Sequence, residues 1–227
     1  MIIAIDGSAA TGKSTVARIV SEKLNIIHIN TGSMYRAVTL GLIKSNININ
    51  DSGAIINFIN STVIGFDDNN IIQLNNKDVS EEVNSIKVSS LVSKVSSILL
   101  VRKWMVGLQR TVAKNKDCVL EGRDIGTIVF PNAEYKFFLL ADLETRAMRR
   151  KKEMDSYGEI HSLEEITSNI LERDELDSNR KYSPLKKAMD AFEIDTSNIQ
   201  IKDVVEIIIN KINLKNKKGN TLGWEVN

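Results

Sequence analysis

The first twenty residues, MIIAIDGSAATGKSTVARIV, constrain the fold more than any other stretch of the chain. An apolar run ends at Asp6, and Gly7, Gly12, Lys13 and Ser14 follow in the spacing G-x-x-x-x-G-K-S. An apolar stripe at helical spacing comes directly after them. Glycines let a backbone turn and approach a ligand closely, and a helix N-terminus attracts anions. The stretch therefore predicts a strand, a phosphate-binding loop and a helix.

The chemistry of such a loop follows from its backbone and two side chains. Several backbone N–H groups would point at a phosphate, Lys13 would reach the β- and γ-phosphates, and the Ser14 hydroxyl would coordinate Mg²⁺. This predicts nucleotide binding, but many protein classes share the loop, so it names no reaction.

The rest of the chain alternates apolar runs with helical patterns. The runs lie at residues 2–5, 26–29, 118–120 and 137–140 and near Phe192. Several are continuous rather than alternating, which is typical of parallel strands covered on both faces. This order predicts an α/β fold, with a doubly wound, parallel, five-stranded sheet.

Two regions interrupt the alternation. Residues 62–79 carry two apolar runs around the turn-forming DDNN, which predicts an antiparallel hairpin. Residues 145–162 are basic, polar and interrupted by glycine, which favours a mobile lid over core. We therefore expect one domain over residues 1–227. It would consist of a core (1–37, 99–144, 181–212), an inserted subdomain (38–98), a lid (145–172) and a polar, frayed tail (213–227).

Composition excludes several other classes of protein. Thirty basic and 29 acidic residues give a net charge of +1, so global charge does not indicate a nucleic-acid partner. No apolar run approaches the roughly 18 to 20 residues of a membrane span, and the first residues lack a secretory pattern. The single cysteine, Cys118, excludes an internal disulfide. We expect a cytoplasmic, monomeric enzyme without nucleic-acid or membrane partners.

Other nucleotide-binding classes require signals that fit this chain poorly. A switch GTPase needs N-K-x-D, but Asp78 directly follows Lys77 in NNKDV. The D-x-x-G match at residues 155–158 lies in the polar lid without a preceding strand, and a helicase would be longer and more basic. A small kinase instead needs a second, arginine-rich pocket for an anionic acceptor.

Two motifs supply the residues for such a pocket. NTGSMYRAV follows the second predicted strand and offers Thr31, Tyr35 and Arg36, whereas EGRDIGTIVFP ends the third with Arg123 and Asp124. The carboxyl ends of parallel strands form the binding crevice of an open α/β sheet. Both motifs should therefore face the phosphate loop.

A third motif, ERDELDSNR, adds two cations and a carboxylate. Arg173, Asp177 and Arg180 are spaced i, i+4, i+7, which predicts a single helical face. A ladder of surface salt bridges, worth little to stability, is the alternative for this motif.

Together these motifs resemble the bacterial cytidylate (CMP) kinases, which belong to the P-loop nucleoside monophosphate kinases. The resemblance rests on IDGSAATGKST, NTGSMYRA, EGRDIGTIVFPNAE, RDELDSNR and SPLKKAMDAFEIDTS and covers nearly all of residues 1–210. The insertion near residues 62–98 is similar to the enlarged monophosphate-binding domain of that family. The resemblance implies a P-loop NTPase fold and Mg²⁺-dependent transfer of the γ-phosphate of ATP to CMP or dCMP, in pyrimidine nucleotide metabolism.

The resemblance also implies roles for individual residues. Donor ATP would be bound by Gly7, Ser8, Ala9, Ala10, Thr11, Gly12, Lys13, Ser14 and Thr15 and by the lid residues Arg146, Arg149 and Arg150. Acceptor CMP would be bound by Thr31, Tyr35, Arg36, Ser93, Arg102, Arg123, Asp124, Arg173, Asp177 and Arg180. Lys13, Arg123, Asp124 and Arg180 would be catalytic. Ser14 would hold Mg²⁺, and Glu121 would orient its water ligands.

Within the acceptor set, the implied contacts differ by residue type. Arg102 would donate to O2 and N3 of cytosine, while Asp124, directly or through Ser93, would accept from the exocyclic amine. Asn30 and Glu121 stand where many relatives carry aspartate.

Two other functions stay open at this stage. The RRKK segment of the lid would suit an RNA-associated, nucleotide-dependent binding module, which would show salt-dependent RNA binding and no phosphorylation of a monophosphate. A kinase for another small acceptor, such as AMP, UMP or shikimate, is the other alternative. The lid arginines themselves could equally form a solvated basic turn.

Overall fold

The computed structural model describes residues 1–156, Gly158 and residues 160–221, with side chains through Leu214. Its strands are β1 (Ile2–Gly7), β2 (Ile27–Asn30), β3 (Ile64–Phe66), β4 (Ile72–Leu74), β5 (Lys77–Asp78), β6 (Cys118–Gly122), β7 (Tyr135–Leu140) and β8 (Phe192–Asp195). Its α-helices are α1 (Lys13–Leu24), α2 (Thr31–Lys44), α3 (Ser52–Ser61), α4 (Ile86–Ser97), α5 (Leu99–Val112), α6 (Leu143–Ser156), α7 (Leu163–Ser178) and α8 (Ile201–Thr221).

The main sheet is parallel and has five strands in the order β2-β6-β1-β7-β8. This confirms the sheet predicted from the continuous apolar runs. Strand β1 lies at the centre, and its Asp6 is opposite Gly122 of β6. On the other side of β6, Asn30 of β2 is opposite Glu121. The register thus brings the three motif-bearing strand ends to one edge of the sheet.

Each face of the sheet is covered by helices. On one face, Val16 and Val20 of α1 and Ile208 of α8 pack with Ile3 and Ile5 of β1 in one fully buried cluster. On the other face, helices α2 and α5 pack against the sheet around Met34, Met105, Ile29 and Leu120. Full burial of a side chain of this size contributes about 1.5–3 kcal/mol, so both layers stabilise the sheet.

The predicted hairpin is confirmed within the inserted region. Strands β3 and β4 pair antiparallel, with Ile64 opposite Leu74, and β5 extends them to a small three-stranded sheet. At the tip of the hairpin, the Asn70 side chain donates a hydrogen bond of 2.7 Å to the backbone carbonyl of His28 on β2. The insertion therefore contacts the main sheet at its edge strand.

The region predicted as a lid is a pair of helices with an apolar contact of its own. Helices α6 and α7 pack through Ala147, Ile166 and Ile170, which are all buried. A capping box of Ser162 and Glu165 starts α7. The polar composition of residues 145–172 hides this contact, because it depends on a few residues spaced one helical turn apart.

The last helix reaches further than the sequence indicates. Helix α8 continues through Thr221, so the predicted polar tail, residues 213–227, begins as helix. Trp224 lies outside the described residues. None of the helices in the described part of the chain has both the length and the apolarity that crossing a membrane requires.

The burial of Cys118 leads to a prediction about its reactivity. The side chain is fully buried on β6, and this burial raises the pKa of its thiol to about 11. Because the thiolate is the reactive form, we expect the folded protein to resist iodoacetamide at pH 8. The same protein in urea should take up one label per chain, as measured by mass spectrometry. Rapid labelling of the folded protein would contradict the predicted position of this strand.

Candidate active site

The loop between β1 and α1 has the backbone conformation that the glycine spacing predicts. Gly7 and Gly12 have φ angles of 152° and 89°, and Ala10 has a φ of 59°. A Cβ on Gly7 would lie 2.3 Å from the carbonyl oxygen of Leu139, so no larger residue fits. Gly12 directly precedes α1, so the loop ends at a helix N-terminus, where an anion is stabilised.

The amino group of Lys13 points into this loop. It donates hydrogen bonds to the backbone carbonyl of Ser8 and, at 3.3 Å, to Thr11 Oγ1. Burial, and then the nearby charge of Arg123, lower the pKa of Lys13 well below its ordinary value. A bound phosphate would offset both effects, so the position favours an anion.

The two residues expected at the metal lie beside each other. Ser14 Oγ donates to Glu121 Oε2 at 2.7 Å, across the gap between α1 and β6. The other oxygen, Glu121 Oε1, is 3.3 Å from His28 Nε2, and neither of these atoms makes a hydrogen bond within the described residues. A hydroxyl next to a buried carboxylate with unused acceptor capacity fits Mg²⁺, which binds to one or two protein oxygens and keeps several waters.

The start of α2 is held by two polar side chains. Asn30 accepts a hydrogen bond of 3.0 Å from the backbone N–H of Ser33, so it caps the helix. Thr31 Oγ1 donates to the backbone carbonyl of Glu121 at 2.6 Å. Both side chains therefore already bind the protein, and they fix α2 to the carboxyl end of β6.

A single carboxylate joins two of the predicted phosphate-binding arginines. Asp177 accepts from Arg123 Nε at 2.9 Å and also from Arg180 Nη2. Burial raises the pKa of Asp177, but the two arginines outweigh this effect and hold the pKa below its ordinary value. Arg180 Nη2 also donates to Ser96 Oγ at 2.9 Å.

The prediction that Arg173, Asp177 and Arg180 share one helical face is wrong for Arg180. Helix α7 ends at Ser178, and Asn179 is its C-cap, so Arg180 follows the helix rather than lying on it. Its guanidinium nevertheless returns to Asp177, because the chain turns there.

Two further arginines of the predicted acceptor site, Arg173 and Arg36, lie near enough to Arg123 for its charge to lower their pKa. Burial, followed by the charges of Arg123 and Arg36, lowers the pKa of Arg173 to about 10. Burial, followed by Arg150 and Arg123, also lowers the pKa of Arg36. These groups lie close enough to repel one another. A phosphate bound among them would relieve this repulsion and form charge-assisted hydrogen bonds.

Neutral groups hold the guanidinium of Arg36 in place. It donates to the backbone carbonyl of Val83 at 3.0 Å and to Ser89 Oγ at 2.9 Å. Both partners lie in the inserted region, so Arg36 links α2 to the start of α4.

A buried ion pair, Arg102 with Asp124, lies next to the arginine cluster that Arg123 and Arg180 form around Asp177. Arg102 Nη2 and Asp124 Oδ2 are 2.6 Å apart, and the Arg102 guanidinium lies 5.4 Å from the centre of the Tyr35 ring. Burial lowers the pKa of Arg102, but Asp124 outweighs burial and the net shift is upward. Burial raises the pKa of Tyr35 to about 12, so the ring stays neutral. Ser93 is buried one turn before Ser96 on α4.

The three lid arginines bind different partners. Arg146 Nη1 is bound to Asp174 and lies 3.5 Å from the backbone carbonyl of Ala9 in the phosphate loop. Arg149 donates to the backbone carbonyl of Thr196 at 2.6 Å, and Arg150 pairs with Glu153. Arg146 therefore lies nearest to the loop.

Two residues that hold this site together were not predicted from the sequence. Asp6 accepts hydrogen bonds from the backbone N–H groups of Ile125 and Gly126 at 2.8 and 2.7 Å. Thr196, which follows β8, donates to the backbone carbonyl of Thr11 at 3.1 Å and accepts from Arg149. Both residues stand at carboxyl ends of strands, so the strand-end rule that found the other motifs would have found them.

Comparisons with known proteins agree with this arrangement. A family model described as cytidylate kinase matches residues 3–214. The cytidylate kinase of Clostridioides difficile (strain 630) is 49% identical over 214 residues, which cover 94% of this chain and 99% of that protein. The cytidylate kinase of Clostridium botulinum (strain Langeland) is 48% identical over 210 residues, 92% of this chain and 96% of its own length.

Solved structures support the fold alone. An uncharacterized protein from Eubacterium ventriosum has a TM-score of 0.52 at 14% identity, covering 94% of this chain and 98% of its own. A gluconokinase from Sinorhizobium meliloti has a TM-score of 0.51 at 10% identity, covering 97% and 96%. The resemblance to bacterial cytidylate kinases is thus confirmed by sequence over nearly the whole length. The chain belongs to the cytidylate kinase family and is a nucleoside monophosphate kinase.

Proposed function

We propose that this protein transfers the γ-phosphate of ATP to CMP or dCMP, giving ADP and CDP or dCDP. The observation that carries the proposal is the arginine cluster of Arg123 and Arg180 around Asp177, with the buried Arg102–Asp124 pair beside it. A cluster of guanidinium groups suits a phosphate, and a paired donor and acceptor suit one edge of a base. The same Arg123 acts electrostatically on Lys13 of the phosphate loop, so the two sites are close together.

The donor side of the site would be residues 7–15 together with Arg146. Backbone N–H groups of the loop and the amino group of Lys13 would hold the β- and γ-phosphates. Arg146, which lies 3.5 Å from the carbonyl of Ala9, would close over them together with Arg149 and Arg150. Ser14 would hold Mg²⁺, and Glu121 would orient its water ligands. When bound, the ion would neutralise charge on the transferring phosphoryl group.

The acceptor side would use the residues gathered at the ends of β2 and β6. Arg36, Arg123 and Arg180 would hold the monophosphate. Arg173 and Asp177 would contact its sugar, with Asp177 accepting from the hydroxyls. Because Asp177 already binds two of these arginines, it would also fix their orientation before the substrate arrives. A group that is preorganised in this way loses less entropy on binding.

The base would be read by the buried pair and its neighbours. Arg102 would donate to O2 and N3 of cytosine, and Asp124 would accept from the amine, with Ser93 at the same wall and Tyr35 packed against the ring. Thr31 would act through the backbone, since its hydroxyl is engaged with the carbonyl of Glu121.

The mechanism requires positioning and charge neutralisation rather than covalent catalysis. Phosphoryl transfer passes through a loose transition state, in which charge spreads over the equatorial oxygens. Lys13, Arg123 and Arg180 would stabilise this charge, and Asp124 would orient the acceptor. We propose that residues 38–98 and 145–172 close over the two substrates, which excludes water and suppresses hydrolysis of ATP.

The remaining assignments rest on composition. A net charge of +1 gives no general attraction to polyanions, and we propose that the protein acts as a cytoplasmic monomer on free nucleotides, without nucleic-acid or membrane partners. Light scattering would report the oligomeric state.

Discrimination between bases tests the proposal directly. UMP has a carbonyl where CMP has the amine, so a buried carboxylate would face an acceptor and reject it. We expect kcat/KM for CMP to exceed that for UMP by at least about tenfold, since one mismatched hydrogen bond has that effect or more. A coupled assay of ADP release with CMP, dCMP, UMP and AMP measures this.

The same assay contains its own control. Asp124→Asn should reduce the preference for CMP over UMP, because the amide can donate to the uracil carbonyl. Equal turnover of CMP and UMP by the unaltered protein would show that the assignment of the base-reading residues is wrong. Turnover of AMP alone would replace the proposed acceptor.

A further inference from the structure

Asp6 is a buried carboxylate with no part in the chemistry proposed above. It is the residue before Gly7 on the central strand β1, and only 4% of its surface is exposed. Its two oxygens each accept one backbone hydrogen bond, from Ile125 at 2.8 Å and from Gly126 at 2.7 Å. Both donors belong to the turn that follows Asp124.

The turn that Asp6 holds carries the acceptor side of the site. Residues Ile125–Val129 form one turn of π-helix, and Arg123 and Asp124 immediately precede it. Arg123 binds Asp177, and Asp124 binds Arg102. A small displacement of the turn would therefore move both Arg123, one of the proposed phosphate-binding arginines, and Asp124, the carboxylate proposed to face the base.

Keeping Asp6 charged in this position does not favour folding. Burial raises the pKa of Asp6 to about 6, although the two backbone hydrogen bonds and Lys13 oppose the rise and Asp124 adds to it. A raised pKa means that the fold is stabilised by the protonated form, and that this contribution is lost as the pH rises from about 4 through 6. At neutral pH the stability that the protonated form would add is absent, and the two backbone hydrogen bonds are what hold the ionised carboxylate in place.

We infer that Asp6 is a positioning residue for the acceptor side of the reaction, because its carboxylate fixes the turn behind Arg123 and Asp124 to the strand that leads into the phosphate loop. The inference rests on the proposed function. The Asp6 side chain would then set the distance between the phosphate loop and the turn that follows Asp124. In-line transfer depends on this distance.

Asp6→Asn tests the inference because the substitution keeps the shape and removes one acceptor. The amide group would face a backbone N–H, so one of the two hydrogen bonds is lost. We expect the KM for CMP to rise roughly tenfold, the effect of one lost hydrogen bond to a charged group, while the KM for ATP changes less than about threefold. The reason is that the phosphate loop has contacts of its own that do not involve Asp6, such as Lys13 to Thr11, and we expect the variant to keep them.

Gly126→Ala approaches the same contact from the other side. The added Cβ would lie 3.2 Å from Cδ of Lys136 and 3.4 Å from Asp6 Oδ2, so the turn or the Lys136 side chain must shift by a few tenths of an ångström. We expect a smaller rise in the KM for CMP. The double variant should show less than the product of the two single effects, because the two residues contact each other.

Thermal unfolding separates positioning from loss of stability. The midpoint for Asp6→Asn should stay within about 4 °C of the unaltered protein, roughly the shift for 1 kcal/mol in a chain of this size. Ile208→Val, a buried change on α8, is the matched control: it should lower the midpoint and leave both KM values unchanged.

The outcomes are distinguishable. Unchanged KM values in Asp6→Asn and in Gly126→Ala, with an active unaltered protein, would overturn the inference alone. Independent, multiplicative effects of the two changes would also overturn it. An unaltered protein that does not phosphorylate CMP would overturn the proposed function and this inference with it.

Discussion

Arg180→Ala is expected to lower kcat/KM for CMP by roughly 100-fold or more, in line with the effect of arginines on phosphoryl transfer. The guanidinium of Arg180 is bound to Asp177 and to Ser96, so it is held at the proposed phosphate position before any substrate binds. Arg123→Ala should have an effect of similar size, because Arg123 binds the other oxygen of the same carboxylate. Steady-state kinetics with CMP and ATP would measure both losses.

Two further variants separate this role from a general effect of charge. Arg180→Lys keeps the charge but loses the planar, forked geometry, so we expect partial activity, below the unaltered protein and above Arg180→Ala. Arg18→Ala removes an arginine whose exposed pair with Glu22 contributes little, and it should be fully active. A loss below threefold for both Arg123→Ala and Arg180→Ala would remove the assignment of the acceptor pocket.

Lys13→Met is expected to lower kcat by roughly 100- to 1000-fold, the range found when one preorganised donor to a developing charge is removed. The amino group is buried and points into the phosphate loop, where burial and Arg123 hold its pKa well below the ordinary value. Methionine keeps most of the side-chain volume, so the loop should stay folded. Single-turnover measurements with saturating ATP and CMP would separate this chemical step from binding.

Lys23→Met is the matched control for that experiment. Lys23 lies on the same helix, α1, but is exposed in its last turn. The identical substitution there should leave kcat within about twofold, since surface changes away from a site have small effects. Equal losses in the two variants would mean that the effect at Lys13 comes from disturbing the helix.

The fold could be predicted from sequence because its signals are local. Continuous apolar runs gave the parallel strands, and the glycine spacing gave the sharp turn before α1. Parallel strands place their carboxyl ends together. This rule predicted that Thr31, Arg123 and Lys13 lie at one edge of the sheet, without any knowledge of the tertiary structure. The hairpin in the insertion followed from two apolar runs around DDNN.

The sequence did not predict the ends of two helices or one contact between distant segments. Arg180 was assigned to a helical face, but the helix ends at Ser178, and helix ends are poorly determined by side-chain spacing. The strand-end rule could have singled out Asp6, but its partners, the backbone N–H groups of residues 125 and 126, are marked by no side-chain pattern. Helix α8 passes the point where the apolar pattern fades, at residue 213.

The outer strands of the main sheet bear on how this chain behaves at high concentration. Both β2 and β8 are four residues long, and the side chain of Asn70 occupies one backbone oxygen of β2. Strands at the margin of a sheet are where foreign chains add and begin to polymerise. The two outer strands are short, and one of them already accepts a hydrogen bond from the insertion. They therefore offer few free backbone groups for such addition, which favours solubility in a crowded cell.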